Sequence, residues 1–269
     1  MWRIGAHQKA YGAVAKADAD TGGELRTMAG HGSVYLLTAG YAGAKSGAMA
    51  TWPARKGVDA TQGTGGKQPD FTPTGWAADG GAAVMFDGVG EGIEPPAGLL
   101  AGASAAWLLA AYRHNGSSGD GMVIETSADA NSEPGLLIAP AGGGIIGAIY
   151  IGARDNTGGA GVDQLYNTNA TSWDDTEVCV LFTWDSAQSA ASECKVMVDG
   201  VDQALTTINS QDLGAISGTS YQGSIGSRGN AAITFLNGTI RHLAMGTGAL
   251  TAAQKSALCI ASKRHARLL

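Results

Sequence analysis

Short apolar runs punctuated by Gly, Asn and Asp recur along the whole chain, the pattern of a sandwich or barrel of short strands. They predict strands over Val34–Thr38, Ala83–Phe86, Ala105–Arg113, Met122–Thr126, Leu136–Ala139, Ile145–Ile151 and Glu177–Trp184. Further strands are expected over Lys195–Val198, Ala204–Ile208, Ser224–Gly226, Ile233–Leu236 and Thr239–Met245. Asp199-Gly200 predicts a two-residue hairpin, because a type I′ turn needs positive φ at both central positions. The one expected helix is C-terminal. Thr251 with Gln254 three residues on is a capping-box signature, followed by Leu258 and Ile260, and this helix should pack on the outside of the sheets. Pro95–Tyr112 carries no charge over 18 residues, long enough to cross a bilayer. It opens with Pro95-Pro96 and is mostly Ala and Gly, so a buried strand is expected there and no membrane partner.

Composition narrows the picture. With 269 residues, 44% of them apolar, the chain can bury a sizeable core as one large all-β domain, alone or with an appendage. Charged residues make up 15% and the net charge is -6, which excludes the basic footprint that nucleic-acid binders need to displace counterions. The one basic run, Lys263, Arg264, His265 and Arg267, falls where cations offset the negative end of a helix. Met1–Asp20 has no apolar run of secretory length, so synthesis in the cytoplasm without export is expected. The three cysteines, Cys179, Cys194 and Cys259, match no zinc spacing and are expected to be free and buried. In a hairpin across 185–193, Trp184 faces Cys194 and Cys179 lies too many rungs away to bridge it. Residues 1–50 are weakly hydrophobic and are expected to form an N-terminal arm that docks on the main domain, residues 51–269, or on a neighbour.

From Trp52 onward several segments occur in a telling order: Trp52-Pro53 through Asp59-Ala60-Thr61-Gln62 to Gln68-Pro69; Val84-Met85-Phe86-Asp87-Gly88; Trp107–Arg113; Trp173 and Val178–Trp184 followed by Lys195–Gly200; and finally Ile225-Gly226, Phe235–Ile240 and Ala249–Gln254. This order resembles the laminin-G-like jelly rolls of the concanavalin A-like lectin and glucanase superfamily. The resemblance implies a two-sheet antiparallel jelly-roll sandwich with a short C-terminal helix. The same jelly roll serves lectins, hydrolases, adhesion modules and virion proteins, so the function must be argued from particular residues.

The superfamily's glucanases carry Glu-x-Asp-x-x-Glu on one strand, because retaining hydrolysis needs two carboxylates ~5 to 5.5 Å apart. Asp18, Asp20 and Glu24 miss that spacing, Glu91 and Glu94 run into Pro95-Pro96, and Asp174, Asp175 and Glu177 read as a solvated turn. No Gly-x-Ser-x-Gly and no His-x-x-x-His pair occurs. Gly63–Lys67 departs from a phosphate loop at Thr61 and Gln68 and reads as a surface loop. Laminin-G-like domains often hold calcium, and Asp155, Asn156 and Asp163 could supply some of the six to eight oxygens it takes; solvated loop acids are the better reading, and no cofactor is expected. Glycan binding needs an aromatic platform beside planar hydrogen-bonding groups. Two strand ends offer that: Tyr112, Arg113 and His114, and Tyr150, Arg154 and Asn156.

These observations lead to the expectation of a non-enzymatic interaction protein: a homo-oligomeric virion component, in a capsid or tail, whose arm binds other virion proteins or sister subunits and whose jelly roll contacts host glycans. Two other readings stay open, a secreted glycan-binding or adhesion module acting extracellularly, and a glycoside hydrolase of the same fold.

Overall fold

The computed structural model describes residues 23–41, 46–115, 121–126, 135–140, 148–155, 162–169, 173–209, 211, 213–216, 223–228 and 234–268. The strands run β1 (Ser33–Thr38), β2 (Gly47–Ala48), β3 (Thr51–Trp52), β4 (Ala54–Lys56), β5 (Ala60–Thr61), β6 (Asp70–Trp76), β7 (Gly81–Asp87), β8 (Ala105–His114) and β9 (Ile124–Glu125). They continue as β10 (Gly135–Pro140), β11 (Ile149–Asp155), β12 (Val162–Thr168), β13 (Glu177–Asp185), β14 (Cys194–Val198), β15 (Val201–Asp202), β16 (Leu205–Asn209), β17 (Ser224–Ile225) and β18 (Asn237–Thr247). Helices are α1 (Glu24–Met28), α2 (Ala190–Glu193) and α3 (Ala252–His265). The expected all-β sandwich of two antiparallel sheets with a C-terminal helix is what forms. The larger sheet has ten strands, ordered β15-β14-β13-β8-β18-β7-β6-β2, with β1 bonded to β18 and β4 to β1. The second has six, ordered β16-β12-β11-β10-β9-β17, and β3 pairs with β5 apart from both.

Strand β8 shows why the large sheet holds. Its sequence, Ala-Ala-Trp-Leu-Leu-Ala-Ala-Tyr-Arg-His, has both faces covered, so its pattern is a continuous apolar run instead of an alternation. Ala106, Leu108, Ala110 and Tyr112 face the inter-sheet core. Trp107 and Leu109 join Cys179, Leu181, Leu36, Ala244, Leu258 and Cys259 on the opposite face, beneath α3. Of the uncharged stretch expected as a buried strand, the part from Ala105 to Tyr112 is this central strand while residues 95–104 precede it as loop and turns, and among the described residues no helix is long and apolar enough to cross a membrane.

Strand β18 pairs with β8 along one edge from Gly238 to Thr247. On its other edge it pairs with β7 over Asn237–Ile240 and then with β1 from His242 to Gly246. Residues 33–38, N-terminal to the boundary expected at 50, thus complete the edge that β7 leaves unpaired, and Tyr35 and Leu37 are buried in the inter-sheet core. Gly246 stands where a Cβ would lie 2.5 Å from the Trp107 ring, so this rung admits only glycine. Of the expected arm, residues 1–22 and 42–45 lie outside the described residues.

Local turn chemistry behaves as its residues dictate. Asp199 and Gly200 take φ of 52° and 83°, and Trp184 pairs with Cys194 in the hairpin of β13 and β14. All three cysteines are free and buried. The expected strand Ile233–Leu236 does not form over its described part: Thr234 takes a left-handed φ of 52°, and pairing starts at Asn237. Thr251 Oγ1 accepts from Gln254 N while Gln254 Oε1 accepts from Thr251 N, closing the capping box.

Helix α3 is also fastened by polar contacts. His242 Nε2 and Ser262 Oγ lie 2.6 Å apart, Cys179 Sγ donates to Ser262 Oγ at 2.9 Å, and His265 Nδ1 meets His242 Nδ1 at 3.2 Å. Trp76 Nε1 donates to Ala266 O at 2.8 Å just past the helix end. Burial, then the neighbouring His265 and Arg241, hold the His242 pKa well below the usual imidazole value.

Two outcomes follow from this packing. Removing residues 1–50 strips β18 of its partner and the core of Tyr35 and Leu37, so the truncated chain should fail to give a folded monomer by circular dichroism and size exclusion, whereas the full chain with Leu37→Ala should fold but lose about 2–5 kcal/mol in urea unfolding. Below about pH 6.5 the unfolded chain protonates His242 while the folded chain keeps it neutral, so stability falls with pH at a slope approaching ~1.4 kcal/mol per pH unit from this group. Glu91, whose pKa is raised to about 7 by burial and then by Asp87, acts with the opposite sign, costing stability as pH rises from the ordinary carboxylate range toward 7. The His242 contribution is therefore read as a difference: the stability of His242→Gln, measured by urea titration from pH 7 to 5, should decline less than that of the parent chain.

Candidate functional site

The six-stranded sheet has one face in the core and one facing away from it. Ile124, Leu136, Ile138, Ile149, Ile151, Ala153, Tyr166 and Ile225 belong to the core. Alternation then sends the intervening side chains to the outer face, where Met122, Leu137 and Ala139 form a separate buried cluster with Tyr150 packed against it. Strand register fixes the layout of this face. Tyr150 is opposite Asn167 on one side and Ala139 on the other. In the adjoining row Leu165, Gly152, Leu137, Glu125 and Ser224 stand in line across five strands. Adjacent strands lie ~4.8 Å apart, so the span from Asn167 through Tyr150 toward Glu125 is about 15 Å, the size of a short oligosaccharide.

The polar groups on this face are unusual. Asn167 is 1% exposed, yet neither its Oδ1 nor its Nδ2 has a hydrogen-bond partner among the described residues. An amide left in that state costs about 1–3 kcal/mol, and such a group calls for a partner. Glu125 is also 1% exposed, with its Oε1 3.6 Å from Arg228 Nε. Ser224 and Ser227 are fully buried and bond to each other at 2.5 Å. Tyr150 is half-buried, packed against the apolar cluster and opposite Asn167 in the ladder. An aromatic surface, an amide offering both a donor and an acceptor, and a carboxylate–guanidinium pair thus share one face.

The structure separates the residues expected to bind ligand. Tyr112 faces the inter-sheet core and is 2% exposed, because it shares the parity of Leu108 and Ala110; burial and the charges of Asp174 and Asp199 push its hydroxyl pKa up. It lies between the two sheets, away from the outer face that carries Tyr150 and Asn167. His114 is buried and bonds Asp174 at 2.9 Å, and Arg113 Nη2 lies 3.7 Å from Asp175 Oδ1, so both tie the end of β8 to the turn before β13. Tyr150 is on the outer face of the small sheet, and Arg154 stands in the same strand opposite Asp163. Asn156 lies outside the described residues. Asp155 is opposite Val162, on the rung next to that of Asp163, and among the described residues no three His, Cys, Asp or Glu side chains gather as a metal site. Asn167, Glu125 and Arg228 were not expected from sequence. Asn is depleted in strands, which hides β12, although the alternation of Leu165, Tyr166 and Asn167 beside a strand already expected at Ile145–Ile151 could have exposed it.

No family model and no curated relative matches the chain. Among solved structures it is similar to a Trypanosoma rangeli sialidase, at 16% identity and a TM-score of 0.55 over 97% of this chain and 40% of that one. The same sialidase in complex with sialic acid gives 15% identity and 0.58 over 98% and 40%. A Ruminococcus gnavus IT-sialidase CBM40 bound to alpha2,3 sialyllactose gives 13% and 0.46 over 63% and 96%. The chain thus spans about two-fifths of the length of the Trypanosoma protein. The expectation of a non-enzymatic chain is corrected by these likenesses, since the structure matched along nearly the whole chain is that of an enzyme. The fold is a two-sheet antiparallel sandwich, similar to a part of that sialidase.

Proposed function

We propose that this chain recognises carbohydrate through the outer face of its six-stranded sheet, with glycans ending in sialic acid as its ligand class. The observation that carries the reading is the pairing on the outer face of Tyr150, a half-buried aromatic, with Asn167, an amide with neither its donor nor its acceptor met among the described residues. A vicinal pair of sugar hydroxyls supplies the complement, since each hydroxyl both donates and accepts. Tyr150 gives the apolar face of a pyranose ring a surface to lie on, and the Glu125–Arg228 pair supplies charged hydrogen-bond partners at the far end of the face. The choice of sialic acid is supported by the likeness to the Trypanosoma rangeli sialidase that holds it.

A place on a virion draws no support from these likenesses, and the arm that would anchor such a component falls partly in residues 1–22, outside the described residues.

Isothermal titration with sialyllactose and with lactose tests the proposal. The intact chain should bind the sialylated sugar more tightly than the neutral one. Asn167→Leu and Tyr150→Ala should each weaken that binding by about tenfold or more, while Arg113→Ala, at the end of β8, should leave it unchanged. Equal affinity of all three variants and the parent, or no binding of either sugar, would refute it.

A further inference from the structure

The buried thiols beneath α3 are not used by the carbohydrate face, which lies on the other sheet. Cys179 is in β13 and Cys259 in α3, and both belong to the cluster that joins the helix to the large sheet. Three observations bring them together. Cys179 Sγ donates to Ser262 Oγ at 2.9 Å, and Ser262 is one helical turn after Cys259, on the same side of the helix. Asp199 is bonded to Cys179 in both directions, at 2.8 Å through its N–H and 2.9 Å through its Oδ1, while a Cβ on the adjoining Gly200 would lie 3.8 Å from Cys259 Cβ. Each thiol also perturbs the titration of the other.

We infer that Cys179 and Cys259 form an oxidisable pair, a modification site at which a small disulfide oxidant closes a bond between the C-terminal helix and the large sheet. Cys194 takes no part. It sits at the far end of the β13–β14 hairpin opposite Trp184, and burial raises its thiol pKa. The two partners have different roles. The contact with Cys179 pulls the Cys259 thiol down, helped by Lys263, whereas the same contact and burial push Cys179 up. Cys259, on the outer helix, is placed to meet the oxidant first, and Cys179, in the sheet beneath it, to resolve the mixed disulfide. With glutathione disulfide, Cys259 attacks one sulfur, forming a mixed disulfide and expelling one glutathione thiolate. Cys179 then gives up its proton and attacks the Cys259 sulfur, closing the protein disulfide and expelling the second glutathione. Two protein thiols are oxidised and one glutathione disulfide is reduced to two glutathiones. Both thiols are buried, so the oxidant reaches Cys259 through local opening of α3, the outermost layer on that side.

The test incubates the folded full-length chain with glutathione disulfide, blocks remaining thiols under denaturing conditions and maps disulfides by mass spectrometry without reduction. The expected result is a peptide linked through Cys179 and Cys259, a single blocked thiol at Cys194, and a melting temperature raised by about 5 °C or more relative to the reduced protein, because the bond closes a long loop. The linkage should form unchanged in Cys194→Ala, whose circular dichroism reports whether it is folded. Pairing that includes Cys194, linkage that appears only in denaturant, or glutathione left on Cys259 with no internal bond would overturn the inference.

Discussion

The long strand β18 carries more of this fold than any other element, because both of its edges are hydrogen-bonded and both of its faces are covered. One edge is held throughout by β8, and the other is shared between β7 and a strand drawn from the beginning of the chain. A strand in that position cannot form its ladder until segments more than two hundred residues apart have met. The sandwich therefore closes only when the N-terminal segment is in place, and the glycine at 246, pressed against Trp107, marks how tightly that junction is drawn.

With the middle of the sheet so occupied, the outer surfaces divide the remaining work. The large sheet's outer face is covered by α3, and its polar atoms answer one another through His242, Ser262, Cys179 and His265. Four tryptophans are committed as well. Trp52, Trp76 and Trp107 donate to backbone carbonyls, and Trp184 donates to Glu193, so each pins one element to another. The small sheet's outer face keeps a half-buried tyrosine and an amide whose hydrogen-bonding capacity the described residues do not fill. The proposed recognition is placed there for that reason.

How much of this could be read from residues alone follows the range of the interactions. The capping box of α3, the Asp199-Gly200 turn and the Trp184–Cys194 register are set by neighbours in sequence or by one hairpin, and all were legible. Strand β6 was not, because Pro73 and Gly75 break its pattern, and the ladder accommodates them with a shift of register between Thr72 and Trp76. The role of β1 was illegible for a different reason: a strand's partners across the whole chain leave no mark on its own alternation. At the candidate site, Tyr150 was found as a strand-end aromatic. Tyr112 was misplaced by the same rule, because its parity with Leu108 and Ala110 puts it in the core. Asn167 was missed because a polar residue in a strand reads as punctuation until the register shows which face it occupies.

The central claim is that ligand is met on the outer face of the six-stranded sheet, and the most direct measurement is a map of amide chemical shifts as a sialylated oligosaccharide is added to the labelled chain. The account requires the changes to centre on β11 and β12 around Tyr150 and Asn167 and to extend toward Glu125. Changes confined to the end of β8 near Arg113 and His114, or to the surface of α3, would contradict it.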